Sequence, residues 1–584
     1  MTRQEIKLGI CGSGGDGIMA IGEILTSAAA HEGLQAFLLK SFGPQIRGGE
    51  SSVRLRISDN EIQTPGDRLD ILACLSWKEY VRFKQELRGG DDLIVISDTR
   101  EPLPTDPNPL DTLGIQIQLE APFTDIAKEL TGSPLAKNMV LAGYLAGLVN
   151  LPMEGILLGI QKRFSKKSEE IIDKNTKAYE KGVELGKAAQ KEHNICPLTY
   201  TKRDPKVLID GNTATAFGAL VAGCDFFAGY PITPASEIME WLSTEMYRFN
   251  RIMIQAEDEI AALGMVVGAS FAGKKSMTAT SGPGFALMVE MIALAAASEL
   301  PCVIVDVQRA GPSTGIPTKT EQGDLLLALY GSAGDAPRVV IAPADVEDCF
   351  QLAIDAFYVA EKYQLPVIIL SDQFVGQRTE TIDKIKLEGL RQSQRDIPDT
   401  DQLTDYKRFA ELESFDGVSP MSFLGMAGGE YIAAGLEHNE YGYPSATVEE
   451  HQRQNIKRYR KFRHIRMEPW KFRYIGDTDA ELGIICWGST KGAVKEAVEV
   501  ARKEGIKIRC MIPQLLYPIP FKQIEEFLAP LKKLIIAELT FSGQFFKYLN
   551  SSFNLPETHL VKRGGAMPLS TEEILTRIRE VDRV

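Results

Sequence analysis

The chain has 584 residues, 44% hydrophobic and 24% charged, with a formal net charge of −13. This length suits a globular protein of about three to four domains, the acidic balance argues against nonspecific nucleic-acid binding, and no apolar run approaches the ~18 residues of a membrane span. The opening "MTRQEIKLGI" enters a strand without a leader-like run, and the eight cysteines, at 11, 74, 196, 224, 302, 349, 486 and 510, form no CxxC pair, so a cytoplasmic setting is expected and an iron–sulfur or zinc cassette is not.

Apolar strands alternate with helical patterns throughout, which predicts an α/β fold class. The first unit, expected over 1–192, opens with strand "IKLGICG", a glycine-rich turn and a helix to about His31. Strands are expected next near 35–41, 53–57 and 93–97, and helices near 137–149 and 168–190 close the unit. Gly12, Gly14 and Gly17 satisfy G-x-G-x-x-G after a strand. The second strand, however, ends "LLKSFG", with Lys40 and Ser41 where a ribose-holding acid would stand. An NAD-dependent dehydrogenase is therefore a distant alternative. "GDG" at Gly15–Gly17 mimics a magnesium–diphosphate motif, but the first asparagine, Asn60, lies too far on to complete it. A tight turn remains, with a phosphate role open for the helix N–H groups behind it. The polar stretch 193–205 reads as a linker.

A second α/β unit is expected over 206–387. Within "AGYPITPASEIMEWLS", Pro231 and Pro234 lack donors and fix φ, and the residue before each is pushed toward extended geometry. Tyr230 to Pro234 is thus a stiff bend that presents Thr233 ahead of a helix. "IQAEDEIAALGMVVGASFAGKKSMTATSGPG" sets three acids, 257–259, before a helix rich in small residues. A helix dipole attracts acids to its start, which explains the acids but not the glycines beyond them. Gly264, Gly268 and Gly273 permit close approach, and the next strand ends in Thr280–Gly284, a loop whose backbone can reach a ligand. An acid directed into such an interface suits proton exchange with a heteroaromatic ring. An irregular region is expected over 388–477; it ends in a run with nine Lys/Arg and one acid between Arg453 and Tyr474. That run reads as a solvated or interdomain helix face, or as a docking surface for an acidic or phosphate-bearing partner. The third unit, expected over 478–584, shows strands "LGIICWG", "KIRCMIP" and "KKLIIAEL" with a helix from about 491.

A glutamate with Gly-Ala nine residues on, then a strand ending TSGPG, resembles the pyrimidine-binding domain of thiamine diphosphate enzymes; that register selects Glu259, since Gly268-Ala269 lies nine on. "YPITP" and "QRAGPSTGIPTKTEQGD" (Gln308–Asp324), with "GLEHNEYGYPS" (Gly435–Ser445), resemble the α subunit of 2-oxoacid:ferredoxin oxidoreductases. "GSGGDGI" and "SFGPQIRGGESS" resemble the γ subunit, fused here ahead of α. "CWGSTKGA" and "FSGQF" (Phe541–Phe545) resemble a transketolase-type terminal domain.

The resemblance implies three α/β domains of γ, pyrimidine-binding and transketolase C-terminal type. It implies CoA-dependent oxidative decarboxylation of a 2-oxoacid, best 2-oxoglutarate to succinyl-CoA, with electrons passed to ferredoxin; pyruvate, branched-chain and indolepyruvate enzymes are the alternatives. Glu259 matches the family's glutamate at the aminopyrimidine N1′, Arg309 its arginine for the substrate carboxylate, and Thr233 and Thr318 its threonines near substrate or cofactor. Tyr230, Pro231, Ile232, Ser281 and Gly282 complete the expected cofactor contacts. Thiamine diphosphate is expected to be shared with a β subunit that carries Mg2+ and [4Fe-4S], in an (αβ)2 heterotetramer, with coenzyme A as co-substrate. No metal ligand is expected on this chain, and nucleic acid and membrane are not expected partners.

Overall fold

A computed structural model of the chain describes residues 3–43, 51–110, 114–165, 167–392, 394–410 and 416–583, which form two compact units. Residues 44–50, within the block "SFGPQIRGGESS", lie outside the described residues. The first unit comprises Met1–Ile209 and Gln377–Lys386, the second Asp210–Gly376 and Leu387–Val584.

Strands are numbered in chain order. The first unit is built on an eight-stranded sheet ordered β6 (Ile115–Ala121), β5 (Gly89–Asp98), β4 (Leu69–Cys74), β1 (Glu5–Gly12), β3 (Ser51–Ser58), β2 (Gln35–Phe42), β14 (Thr379–Ile382) and β7 (Val207–Asp210). β1 is parallel to β4 but antiparallel to β3, and β2 lies beyond β3. A dinucleotide fold sets its first two strands side by side, so the Gly12–Gly17 fingerprint stands outside such a fold and the NAD reading falls with it. Within that loop Asp16 accepts from the Ser13 N–H at 2.8 Å and pairs with Lys137 at 2.9 Å. Helices Lys137–Val149 and Glu169–Glu192 cross at glycines: a Cβ on Gly143 would overlap the Tyr179 carbonyl, and one on Gly182 the Val140 carbonyl. Residues 193–205 run along this unit: Leu198 is buried and its N–H reaches the Val149 carbonyl at 2.9 Å, while the Arg203 N–H reaches the Glu32 carbonyl at 3.0 Å.

The second unit holds two sheets. The larger is ordered β18 (Leu515–Tyr517), β12 (Val339–Ile341), β13 (Pro366–Asp372), β11 (Cys302–Gln308), β10 (Ser276–Thr280), β8 (Phe226–Gly229) and β9 (Ile252–Gln255), parallel except for β18. Its central strands are buried along their whole length, as parallel strands covered on both faces must be. The smaller is ordered β15 (Phe472–Gly476), β17 (Ile508–Pro513), β16 (Leu482–Cys486), β19 (Lys533–Glu538) and β20 (Glu557–Lys562), with β15 antiparallel. Gln322 ties the two layers. Its Nε2 donates to the Trp487 carbonyl after β16, and its Oε1 accepts from the Leu539 N–H after β19, both at 2.9 Å.

The basic run forms helix Val448–Ile465 and the chain beyond it, and its cations do not all face water. Lys457 and Lys461 are buried and place their ammoniums 2.6 Å from the carboxylate of Glu299, itself buried. Arg408 donates to the Glu299 carbonyl at 2.8 Å, and Arg458 pairs with Glu437 at 2.7 Å. A docking surface therefore cannot include Lys457, Arg458 or Lys461; their helix face is an internal joint. Burial alone would push the Glu299 carboxyl up, but Lys457 and Lys461 outweigh it and hold it well below the usual carboxylate range. Burial presses Lys457 down to about 7 against the pull of Glu299.

Glu299→Gln should destabilise the chain by about 3–5 kcal/mol in denaturant unfolding, because it strands buried ammoniums without a counter-charge. A folded pKa below the unfolded one makes this contribution complete above the unfolded value of about 4.5 and lost as pH falls through the folded value. Acid unfolding of the wild type should therefore be steeper than that of the variant.

Candidate active site

In an open parallel sheet, ligands bind beyond the strand C-termini where the strand order reverses. In the larger sheet the chain passes from β8 outward to β9, then back across to β10 and on to β11. The reversal lies between β8 and β10, and the segments leaving their C-termini are Tyr230–Pro234 and Ser281–Gly284. Arg309 leaves the C-terminus of β11 one strand away.

Tyr230–Pro234 is non-helical, and the helix beyond it, Ser236–Glu245, starts two residues past Pro234. Thr233, Tyr230 and Pro231 are exposed and Ile232 is half-buried. Asn212 braces the bend from behind: its Nδ2 donates to the Pro234 carbonyl at 2.7 Å and to Glu237 at 3.1 Å. Arg309 grips it from the other side, Nη1 donating to the Thr233 carbonyl at 2.7 Å. Arg309 is only 7% exposed and its Nε has no hydrogen-bond partner. Burial lowers its pKa, with the carboxylates of Asp324 and Glu259 opposing.

The three acids separate by role. Asp258 caps helix Glu259–Phe271 by accepting from the Ala261 N–H at 2.7 Å, Glu257 is exposed, and Glu259 turns inward to 8% exposure. A Cβ on Gly284 would lie 2.7 Å from Glu259 Oε1 and overlap Thr280 Oγ1, so only glycine leaves this carboxylate its place. Ser281 begins helix Gly282–Ala297 with its hydroxyl buried and unpartnered. Thr318 is half-buried on the loop after Arg309. A cleft of about 760 Å3 opens between Gly282, Arg309, Asp324 and the loops at Phe541 and Gly565 of the smaller sheet; of the expected site residues Gly282 and Arg309 line it, whereas Tyr230, Pro231, Ile232, Thr233, Glu259, Ser281 and Thr318 do not.

Several site residues escaped sequence reading. Asp306, inside "CVIVDVQ", is fully buried with neither carboxyl oxygen partnered; a lone acid amid an apolar strand was the available signal. Asp324 closes the motif "TEQGD" and lines the cleft. Glu321 joins the two layers, accepting from the Gly311 and Gly565 N–H groups at 3.1 and 3.2 Å.

Three family models match: pyruvate ferredoxin/flavodoxin oxidoreductase over residues 7–185, the thiamine-diphosphate-binding part of pyruvate flavodoxin/ferredoxin oxidoreductase over 217–457, and pyruvate:ferredoxin oxidoreductase core domain II over 480–574. The α subunit of 2-oxoacid:ferredoxin oxidoreductase 2 from Aeropyrum pernix is 30% identical, the alignment covering 99% of this chain and 98% of that protein. The chain belongs to the 2-oxoacid:ferredoxin oxidoreductases. The 2-oxoglutarate synthase subunit KorA of Methanothermobacter marburgensis is 37% identical over 63% of this chain and 97% of its own length. A solved member of the family, the 2-oxoglutarate:ferredoxin oxidoreductase of Magnetococcus marinus with 2-oxoglutarate, coenzyme A and succinyl-CoA bound, aligns with a TM-score of 0.92 and 36% identity over 99% of this chain and 100% of that one. The expected α/β class with a thiamine-diphosphate-binding domain holds, and the chain is an oxidoreductase subunit of α type. Among the described residues no helix is long and apolar enough to cross a membrane.

Gly284→Ala should displace Glu259 while leaving the fold intact. An ångström-scale shift of a catalytic group costs about a hundredfold, so a catalytic role for Glu259 predicts a fall of that order in kcat of the assembled enzyme with an unchanged circular-dichroism spectrum of the chain.

Proposed function

We propose that this chain is the γα-fused subunit of a 2-oxoglutarate:ferredoxin oxidoreductase that forms succinyl-CoA and passes electrons to ferredoxin. The observation that carries the reading is the convergence of Glu259, Thr233 and Arg309 on the loops around one switch point. The choice of 2-oxoglutarate is supported by relatives named for it at 36–37% identity and by the solved relative that holds it. Pyruvate is the competing substrate, since the family models carry its name.

The residues fit thiamine diphosphate: the buried Ser281 hydroxyl lacks a partner, and Gly284 leaves Glu259 room that a Cβ would take. When bound, the cofactor supplies the electron sink for decarboxylation. Glu259 holds and exchanges a proton at the aminopyrimidine N1′, and Tyr230–Thr233, Ser281 and Gly282 border that ring. Arg309, locked by the Thr233 carbonyl, offers the rest of its planar fork to the C1 carboxylate of the oxoacid. Thr318, half-buried on the loop after Arg309, stands outside the lining of the cleft and is given no contact in this reading.

One half of the site comes from a partner. On helix Glu259–Phe271 the outward positions Ile260, Gly264 and Gly268 recur every fourth residue, Ile260 is exposed, and both glycines face open space. Leu287 and Ile252 are further exposed apolar residues of this unit, and the small-residue face suits a β subunit bringing Mg2+, the diphosphate contacts and [4Fe-4S]. The assembly is an (αβ)2 heterotetramer in the cytoplasm.

Glu259→Gln should keep thiamine diphosphate bound yet lower turnover of the assembled enzyme by ~10²–10⁴-fold; Glu257→Gln, at an exposed position, should be mild. Near-wild-type turnover of Glu259→Gln refutes the assignment.

Arg309→Lys should lower kcat/KM by roughly ten- to a hundredfold for every 2-oxoacid, since one charge-assisted bond is worth ~1.5–3 kcal/mol. Loss confined to 2-oxoglutarate, with pyruvate turnover retained, would move Arg309 to the distal carboxylate.

A further inference from the structure

Behind Arg309 the cleft holds more acid than the reaction assigned to it uses. Asp324 stands at the cleft wall, its Oδ2 buried without a partner. A Cβ on Gly282 would come within 2.6 Å of that oxygen, which places the carboxyl against the first residue of helix Gly282–Ala297. Behind it on β11, Asp306 is fully buried, with both oxygens unpartnered. Gln308, two residues on, accepts from the Asp324 N–H at 3.0 Å and donates to the Ser371 carbonyl at 2.8 Å, which fixes the backbone that carries both acids. The charged groups facing Asp324 are Arg309 at the end of β11, Glu321 on its own loop and Asp306 on β11; Glu259 on its helix acts on Arg309 from the far side.

We propose that Asp324, backed by Asp306 and lining the same cleft as Arg309, balances the charge of Arg309 while the cleft lacks an anion and takes up one proton when the carboxylate of a 2-oxoacid docks there. The inference rests on the reading of Arg309 as the carboxylate-binding residue. Charge must balance in a poorly hydrated site. Before binding, Arg309 carries one positive charge, Asp324 one negative charge, and Asp306 is neutral. Burial and the neighbouring Asp324 push the Asp306 carboxyl up, so it keeps its proton. An incoming carboxylate would add one negative charge beside Asp324 and Glu321, which is costly where the acids are desolvated. A proton taken from solvent onto Asp324 cancels that added charge, and no bond to the oxoacid is made or broken. Burial, with Glu321 adding and Arg309 opposing, raises the Asp324 carboxyl to about 7, within reach of that uptake at neutral pH.

The test uses the assembled complex. For the wild type, kcat/KM for 2-oxoglutarate should fall about tenfold per pH unit above the Asp324 value, as a one-proton linkage requires. Asp324→Asn should flatten that limb while still turning over, and Asp306→Asn, which keeps a neutral group at that position, should leave it in place. Infrared difference spectra on adding 2-oxoglutarate should show a new protonated-carboxyl band that Asp324→Asn lacks. An unaltered alkaline limb and carboxyl band in Asp324→Asn overturn the proposal. Arg309→Lys separates the two readings. If it damages use of every 2-oxoacid while Asp324→Asn keeps the wild-type pH profile, only the role of Asp324 fails. If it leaves kcat/KM unchanged, the carboxylate assignment fails and the counter-ion role with it.

Discussion

A single buried carboxylate, that of Glu299, sets the position of much of the second unit. It stands just past helix Gly282–Ala297 in a left-handed backbone conformation (φ 50°) and receives the ammoniums of Lys457 and Lys461. The long irregular stretch ending in helix Val448–Ile465 is thereby fastened to the rear of the helix whose front residues, Gly282 and Pro283, line the cleft. Burial is what chiefly presses Lys457 down to about 7, with Lys461 and Arg408 adding to it against the pull of the one carboxylate. Such an arrangement is weak evidence for stability but strongly resists loss of its one anion.

The same helix organises charge at both ends. Its C-terminus, the negative end of its dipole, meets Lys457, Lys461 and Arg458; its N-terminus, the positive end, meets Asp324. The cation-rich joint and the acid-rich cleft are thus opposite poles of one element. Arg309, which lines the cleft, also ties the end of β11 to the bend after β8 through the Thr233 carbonyl.

Local patterns were legible in the sequence wherever burial and chain direction agree. The strand at 53–57 falls within Ser51–Ser58, and the helix at 137–149 is Lys137–Val149. Glu259 could be separated from Glu257 and Asp258 by spacing, and the structure shows the physical basis: one caps, one is exposed, one turns inward. The buried cations were not legible, because a lysine reads as solvated unless its partner, here about 160 residues earlier and outside the run, is known. Asp306 and Asp324 went unread for a related reason: their meaning lies in being near each other and near Arg309, which only the β11 turn creates. Among the described residues, β4 and β6 were also missed: "DILAC" is short, whereas "IQIQLEA" carries a period-2 alternation that was available to be read.

The return of Gln377–Lys386 to the first unit bears on how this chain can be divided. β14 comes after the whole parallel sheet of the second unit in sequence, yet pairs antiparallel with β2, and the Thr381 hydroxyl accepts from the Ala36 N–H at 2.7 Å. A protease nick or a gene split within 193–205 would therefore cut the first unit off from two of its own strands. The fragment's sheet would end on β2, with a row of unpaired amides open to strand exchange or aggregation. A clean separation would need three breaks, after Ile209, Gly376 and Lys386, the last two to excise a ten-residue insert, so the fused arrangement is easier to keep than to undo.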